Sequence, residues 1–274
     1  MEPSGKFNCM IPTKHKLSLE LTASKPLNAS TYLLTFRIEP DLAATCRPGQ
    51  FFNLRALDST APLLRRPISI CDARSDKGEI DFLVKIVGEG TQLIASHPAG
   101  SWIDVVGPLG NPFTADPARP SLMIAGGVGV APLYFLARTL PTHGGGAAPI
   151  TFCYGARTQS DFVLLDRIEE ASSDVVLATE DDSLGHRGFV TEAAKSFLTP
   201  DTQIFICGPS PMMNAMLPLL RERGLVAQLS LENQMGCGVG ACQGCVVPGR
   251  HGHIRVCCDG PVVSSEDLDN VLSD

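Results

Sequence analysis

Cys237, Cys242 and Cys245, followed by Cys257, are the residues whose type and spacing specify chemistry most directly. Four residues separate the first two, two separate the next pair, and eleven separate Cys245 from Cys257. This C-x4-C-x2-C…C spacing suits a plant-type [2Fe–2S] cluster. Two irons sharing two sulfides need four terminal thiolates, and three of them here must come from one loop. The glycines interleaved with the cysteines suit such a loop, because they let backbone N–H groups approach sulfur closely. Those donors, together with burial, tune the reduction potential. The competing reading is zinc, which in structural sites takes two short Cys/His pairs. His251 and His253 could supply one such pair, but they read as exposed residues of a connecting hairpin. Cys258 adjoins Cys257, so spacing leaves either as the fourth ligand.

A second group of residues lies in the first half of the chain. Arg65-Arg66-Pro67-Ile68-Ser69-Ile70 places an arginine, a proline and a hydroxyl on one strand. Arg66 can make a bidentate contact to a pyrophosphate, and Ser69 can hydrogen-bond a flavin ring atom. Val87-Gly88-Glu89-Gly90-Thr91 then opens a helical segment, whose N-terminal N–H groups favour an anion. The strands that must carry these residues are short and β-rich: Tyr32–Phe36, Gln50–Leu54, Pro67–Ile70, Ile80–Lys85 and Trp102–Val106. Runs of this kind predict an antiparallel barrel. Gly107–Pro112 reads as a turn-rich crossing out of it.

From there the pattern alternates. Strands are expected at Ser121–Ala125, Ile150–Tyr154, Val175–Thr179, Gln203–Ile206 and Val226–Leu231. Helices are expected at Pro132–Leu140, Asp161–Glu170, Val190–Phe197 and Pro211–Arg223, the last kinked at Pro218. Alternation predicts an α/β doubly wound parallel sheet. Two strand-to-helix turns are candidate dinucleotide sites: Gly126-Gly127-Val128-Gly129, and Cys207-Gly208-Pro209 with Ser210 as the helix cap. Arg157 would favour a 2′-phosphate, and Glu180-Asp181-Asp182 would repel one.

Composition bounds the class. At 274 residues, 44% hydrophobic and 19% charged, the chain is globular and long enough for about two domains. A net charge of −7 disfavours nucleic acid. No apolar run is long enough to span a membrane. Met1–Ile11 has no signal-peptide apolar core and reads as a flexible leader. Ten cysteines without such a signal predict a reducing, cytoplasmic setting. Cys9, Cys46, Cys71 and Cys153 read as small apolar residues. The run His143–Ala148 reads as a flexible loop. The expected division is a leader at 1–15, a barrel at 16–110, an α/β domain at 111–231 and a small cluster subdomain at 232–274.

R-P-x-S, then G-E-G-T, then a nucleotide-binding half together resemble the ferredoxin–NAD(P) reductase superfamily. That resemblance implies an FAD-binding barrel. Arg66, Pro67, Ile68 and Ser69 would line the isoalloxazine and pyrophosphate, Leu83, Val84 and Lys85 a second flavin strand, and Gly90 and Thr91 would cap the pyrophosphate. It also implies an NAD site in which Cys207 lies beside the nicotinamide. Leu231 to Val247, with Val256-Cys257-Cys258-Asp259-Gly260-Pro261, more closely resembles the electron-transfer subunits of NAD-dependent (class 1B) dihydroorotate dehydrogenases. In that family the last cluster cysteine precedes x-D-G-P, which selects Cys257. The resemblance implies electron transfer from an FMN-containing catalytic subunit through [2Fe–2S] and FAD to NAD⁺, in a heterotetramer of two plus two that serves pyrimidine biosynthesis. The alternative is the flavin and iron–sulfur subunit of another ferredoxin–NAD(P), sulfide or hydrogenase complex. Met235, Val239 and Ala241 form the expected docking face.

Overall fold

The computed structural model describes residues 15–57, 61–141 and 148–268. The leader expected at 1–15, except its last residue, and the loop His143–Ala148, except Ala148, lie outside the described residues.

The first half is a closed barrel. Its elements are β1 (His15–Pro26), β2 (Thr31–Arg37), α1 (Pro40–Thr45), β3 (Phe51–Leu54), β4 (Arg66–Arg74), β5 (Glu79–Lys85), α2 (Glu89–Ser96) and β6 (Trp102–Leu109). The strands pair antiparallel in the order β1-β2-β5-β4-β3-β6. Period-two alternation sends Leu34, Phe36, Phe52, Leu54, Ile70, Phe82 and Val84 inward, and Ile94 of α2 joins them. Phe36 and Phe52 each meet Phe82 edge to face, with centroids 5.7 and 5.5 Å apart. Burial of each such side chain contributes about 1.5–3 kcal/mol.

The second half comprises β7 (Ser121–Gly126), α3 (Val130–Thr139), β8 (Ile150–Ala156), α4 (Leu165–Ala171), β9 (Asp174–Thr179), β10 (His186–Arg187), α5 (Val190–Ala193), β11 (Gln203–Cys207), α6 (Ser210–Glu222) and β12 (Ala227–Ser230). The C-terminal segment adds a hairpin, β13 (Val246–Gly249) and β14 (Gly252–Arg255), and a final strand, β15 (Val262–Ser264). The sheet order is β10-β9-β8-β7-β11-β12-β15. All pairs in it are parallel except β12–β15. The order turns back between β7 and β11, the switch point where such sheets bind ligands.

A buried ion network ties the barrel to the nucleotide domain. Arg74 reaches Asp72 at 2.6 Å and Asp81 at 2.8 Å within the barrel. Arg138 of α3 meets Asp72 at 2.5 Å, and Arg167 of α4 meets Asp81 at 3.3 Å.

Several expectations are corrected. Gly107-Pro108-Leu109 are strand rather than crossing, because β6 continues to Leu109, opposite Phe51. The β3–β6 register shifts there, so a residue without an N–H is tolerated. Residues 162–164 do not belong to a helix: buried Phe162 and Val163 precede α4, which begins at Leu165. Val190–Phe197 is a short α-helix followed by a 3₁₀ turn. The cap position of α6 is Pro209 rather than Ser210, whose side chain makes no capping bond. Pro218 lies inside α6, which continues to Glu222.

Candidate redox site

Residues 236–245 wrap their own sulfurs in backbone donors. Cys237 Sγ accepts N–H bonds from Val239, Ala241 and Cys242 at 3.3–3.4 Å. Cys242 Sγ accepts from Cys237 and Gly244 at 3.4 Å. Cys245 Sγ accepts from Cys257 at 3.4 Å, and Cys257 Sγ from Gly240 at 3.2 Å. The backbone N–H groups of Cys237 and Cys242 thus each reach the other's sulfur, and the Cys257 N–H reaches the sulfur of Cys245. Among the described residues, no group of three or more His, Cys, Asp or Glu side chains is gathered closely enough to hold a metal ion. His251 and His253 are exposed on the β13–β14 hairpin.

The electrostatics fit a thiolate site. Burial would raise the Cys237 thiol, but the N–H groups of Val239 and Cys242, with Cys242 and Ala241 adding to them, hold it down at about 6. Burial and the neighbouring Cys245 push Cys257 up to about 12, a value that metal ligation would override. Cys257 is buried against Cys245, whereas the Cys258 side chain packs against Gly240. Arg255 and Asp259, paired at 2.8 Å, brace this turn, and Asn111 Nδ2 donates to the Asp259 carbonyl at 2.8 Å.

Ala241, Cys242, Gln243 and Gly244 are exposed, so one edge of the loop meets solvent. Val239 is half-buried. Met235 is not part of that face: it is buried in the core shared with β12 and the C-terminal segment.

The flavin candidates gather on β4, β5 and α2. Pro67 and Ser69 lie on the outward face of β4 and are half-buried. Ile68 and Val84 send their side chains into the barrel core, which leaves only their backbone for a cofactor. Leu83 packs toward the nucleotide domain. Arg66 donates to the Leu64 carbonyl and lies against Gly90 at the start of α2. The Thr91 hydroxyl is already engaged: it donates to the Gly88 carbonyl at 2.9 Å and accepts from Val87 N–H at 3.0 Å. Only its backbone is left for an anion.

Gly126, Gly127 and Gly129 end β7, and Cys207, Gly208 and Pro209 end β11, the neighbouring strand. The two turns interlock. A β-carbon at Gly129 would stand 2.3 Å from the Cys207 carbonyl oxygen. Beside them opens a cavity of about 430 Å³. Its lining includes Thr31 and Lys85 from the barrel and Gly126, Gly127 and Pro209 from the turns. Arg157 and Glu180 both line it as well. Arg157 is approached by Asp161 at 3.9 Å. Cys207 is buried beneath Gly129, and burial and the nearby Glu232 push its thiol up.

Two residues escaped the sequence reading. Glu232 lies two residues beyond β12; desolvation raises its carboxyl, and Lys85 opposes the shift. The residue is nonetheless exposed to solvent. Asn53 is fully buried on β3, and neither end of its amide has a partner. A polar residue on an apolar strand was the only signal for it.

Comparison with known proteins agrees with this arrangement. Residues 18–113 match the oxidoreductase FAD-binding domain family, and residues 123–217 match the oxidoreductase NAD-binding domain family. Residues 232–269 match the iron–sulfur cluster binding domain of dihydroorotate dehydrogenase B. The dihydroorotate dehydrogenase B (NAD(+)) electron transfer subunit of Desulforamulus reducens is 37% identical over 243 residues, 86% of this chain and 91% of the relative. That of Bacillus mycoides is 38% identical over 223 residues, 78% and 84% of the two chains. Among solved structures, the NADH-dependent reduced ferredoxin–NADP oxidoreductase superposes with a TM-score of 0.81 at 29% identity, covering 92% of this chain and 89% of its own. The ferredoxin reductase in carbazole 1,9a-dioxygenase does so at 0.66 and 26%, covering 78% and 68%. With FAD-binding, NAD-binding and cluster-binding regions in this order, the chain belongs to the family of dihydroorotate dehydrogenase B (NAD(+)) electron transfer subunits.

Proposed function

We propose that this chain carries electrons from an FMN-containing catalytic subunit, which oxidises dihydroorotate, to NAD⁺ in pyrimidine biosynthesis. The observation that carries the reading is that four cysteine sulfurs, three from one loop and that of Cys257, each accept backbone N–H bonds. When bound, nicotinamide exchanges two electrons as hydride, an iron–sulfur cluster exchanges one, and a flavin does both.

The chain's own residues hold and align these groups. Cys237, Cys242, Cys245 and Cys257 ligate the cluster. Arg66 and the N–H groups at the start of α2, through Gly90 and Thr91, bind the FAD pyrophosphate. Pro67, Ser69, Leu83 and Lys85 shape the isoalloxazine site, with the backbone of Ile68 and Val84. Gly126, Gly127 and Gly129, with Gly208 and Pro209, seat NAD at the switch point, and Cys207 lies beneath its reactive end. These assignments divide the chain into a barrel at 16–110, a nucleotide domain at 111–231 and a cluster segment from 232. The exposed edge Ala241–Gly244 is the docking face for the catalytic subunit, in a cytoplasmic heterotetramer of two plus two. Among the described residues no helix is long and apolar enough to cross a membrane.

Anaerobic purification with the native partner tests the reading. The expected complex contains FMN, FAD, iron and sulfide, and reduces NAD⁺ with dihydroorotate. A partner that lacks FMN, or iron absent from this chain, would overturn it. The 0.81 superposition on a ferredoxin–NADP oxidoreductase supports the second reading, in which the partner is another flavoprotein or ferredoxin-linked enzyme.

A further inference from the structure

Among the described residues, Asn53 is a fully buried side chain whose amide oxygen and nitrogen both go without a hydrogen-bond partner. Leaving such a group unpaired is unfavourable, and in a native structure it points to a partner not belonging to the protein. Its place in the fold narrows what that partner is. On β3, Asn53 stands directly opposite Pro67 of β4, which has no N–H to offer, and opposite Val106 of β6. Phe52 and Leu54 on either side point into the barrel, so Asn53 points out of it. There it meets residue 238 of the cysteine loop. A β-carbon at Gly238 would stand 2.0 Å from Asn53 Nδ2 and 3.3 Å from Leu109 Cδ1. Gly238, at φ +70°, is the residue immediately after Cys237.

The side chain therefore lies between the flavin-binding strand and the iron–sulfur loop, with its NH₂ end toward the loop and apolar groups around it. A cluster held by this loop would bring thiolate and sulfide acceptors to the NH₂ end. We propose that Asn53 is a positioning residue of the redox junction, whose amide donates to the iron–sulfur centre held by Cys237 and Cys242 and raises its reduction potential. The proposal rests on the cluster assignment made above. Donors to cluster sulfur stabilise the reduced, more negative state. Asn53 adds a donor from outside the loop, on the side of the flavin. The barrel thereby sets the driving force of the electron step as well as its distance.

Asn53→Leu is nearly isosteric and removes the donor; Asn53→Asp keeps the shape and, in the ionised form that burial pushes to higher pH, removes the donor and adds charge. The potential of the reduced cluster is read by its electron paramagnetic resonance signal in a redox titration of the holoprotein, alongside iron and flavin content. Asn53→Leu should lower the midpoint by about 59 mV, equivalent to tenfold in a one-electron equilibrium. Asn53→Asp should lower it further at the alkaline end of a pH series, where the carboxyl is ionised, with iron and FAD unchanged in both. The cofactor-free Asn53→Leu chain should melt at or above the wild-type temperature, since it no longer buries an unpaired amide. An unchanged midpoint in Asn53→Leu overturns the proposal, because a mere filler of space would behave that way. Loss of iron from both variants also overturns it and makes Asn53 a structural residue. Wild-type protein without iron would instead sink the cluster assignment, so the two failures are separable.

Discussion

The guanidinium of Arg66 lies against the α-carbon of Gly90, so closely that a β-carbon there would stand 2.1 Å from Nε and 2.2 Å from Cζ. The strand residue and the helix N-terminus proposed for one pyrophosphate are thus brought to one point. The obstacle to a side chain is the mobile end of an arginine, and position 90 is helical, where alanine is favoured over glycine. Gly90→Ala should leave the melting temperature of the cofactor-free chain unchanged or raised. It should displace Arg66 and weaken FAD binding at least tenfold, as expected when a hydrogen bond to a charged group, about 1.5–3 kcal/mol, is lost. Flavin released on gel filtration, against Arg66→Ala as reference, measures this. Full retention of flavin in both variants would remove Arg66 from the site.

The adjacent cysteines give a sharper test of the cluster. Cys257 is buried with Cys245, while Cys258 packs on Gly240. Cys242→Ser and Cys257→Ser should lose most of the iron and keep FAD. Cys258→Ser should keep both. Iron-to-protein ratios decide, and iron loss only in the Cys258 variant would exchange the two assignments.

Gly129 meets backbone rather than a side chain, the Cys207 carbonyl at 2.3 Å from a built β-carbon. The Gly129→Ala substitution must therefore push the two nucleotide turns apart. Overpacking of this kind costs about 1–3 kcal/mol. A several-fold rise in KM for NADH is expected while flavin and iron content stay at wild-type levels. An unchanged KM would place the dinucleotide elsewhere.

Asp81 governs the acid limb of stability. Burial alone would raise its carboxyl, but Arg74, Thr35 and Arg167 outweigh burial and hold it below the ordinary range. A depressed carboxylate stabilises the fold above its unfolded value, about pH 4, and this contribution fades as pH falls through the lower folded value. Asp81→Asn should cost about 3 kcal/mol at neutral pH, the lower end for a broken buried pair, because Asp72 and Glu79 still meet Arg74. Its melting temperature should fall less steeply than the wild type's below pH 4. Parallel acid profiles for the two would assign the effect to other carboxylates.

The cysteine motif was legible because metal chemistry fixes residue type and spacing together. The barrel and the parallel sheet were legible because period-two and alternating patterns survive on the surface of the sequence. What escaped depended on distance in three dimensions. Nothing local distinguishes Asn53 in Phe51-Phe52-Asn53-Leu54 from an ordinary strand position; its meaning comes from Gly238, far along the chain. Met235 read as surface because it precedes an exposed loop, yet it is buried in the core shared with β12. Thr91 read as a phosphate ligand, but local geometry gives its hydroxyl to the helix end instead.

The strand β15 returns the chain to the nucleotide sheet, antiparallel beside β12. The cysteine-bearing segment leaves that sheet at Ser230 and rejoins it at Val262, so it is clamped at both ends of its excursion. It cannot swing out as a carrier on a tether does. With the sites proposed above, the spacing between redox centres is set by the scaffold, and electron flow through this subunit should be indifferent to solvent viscosity.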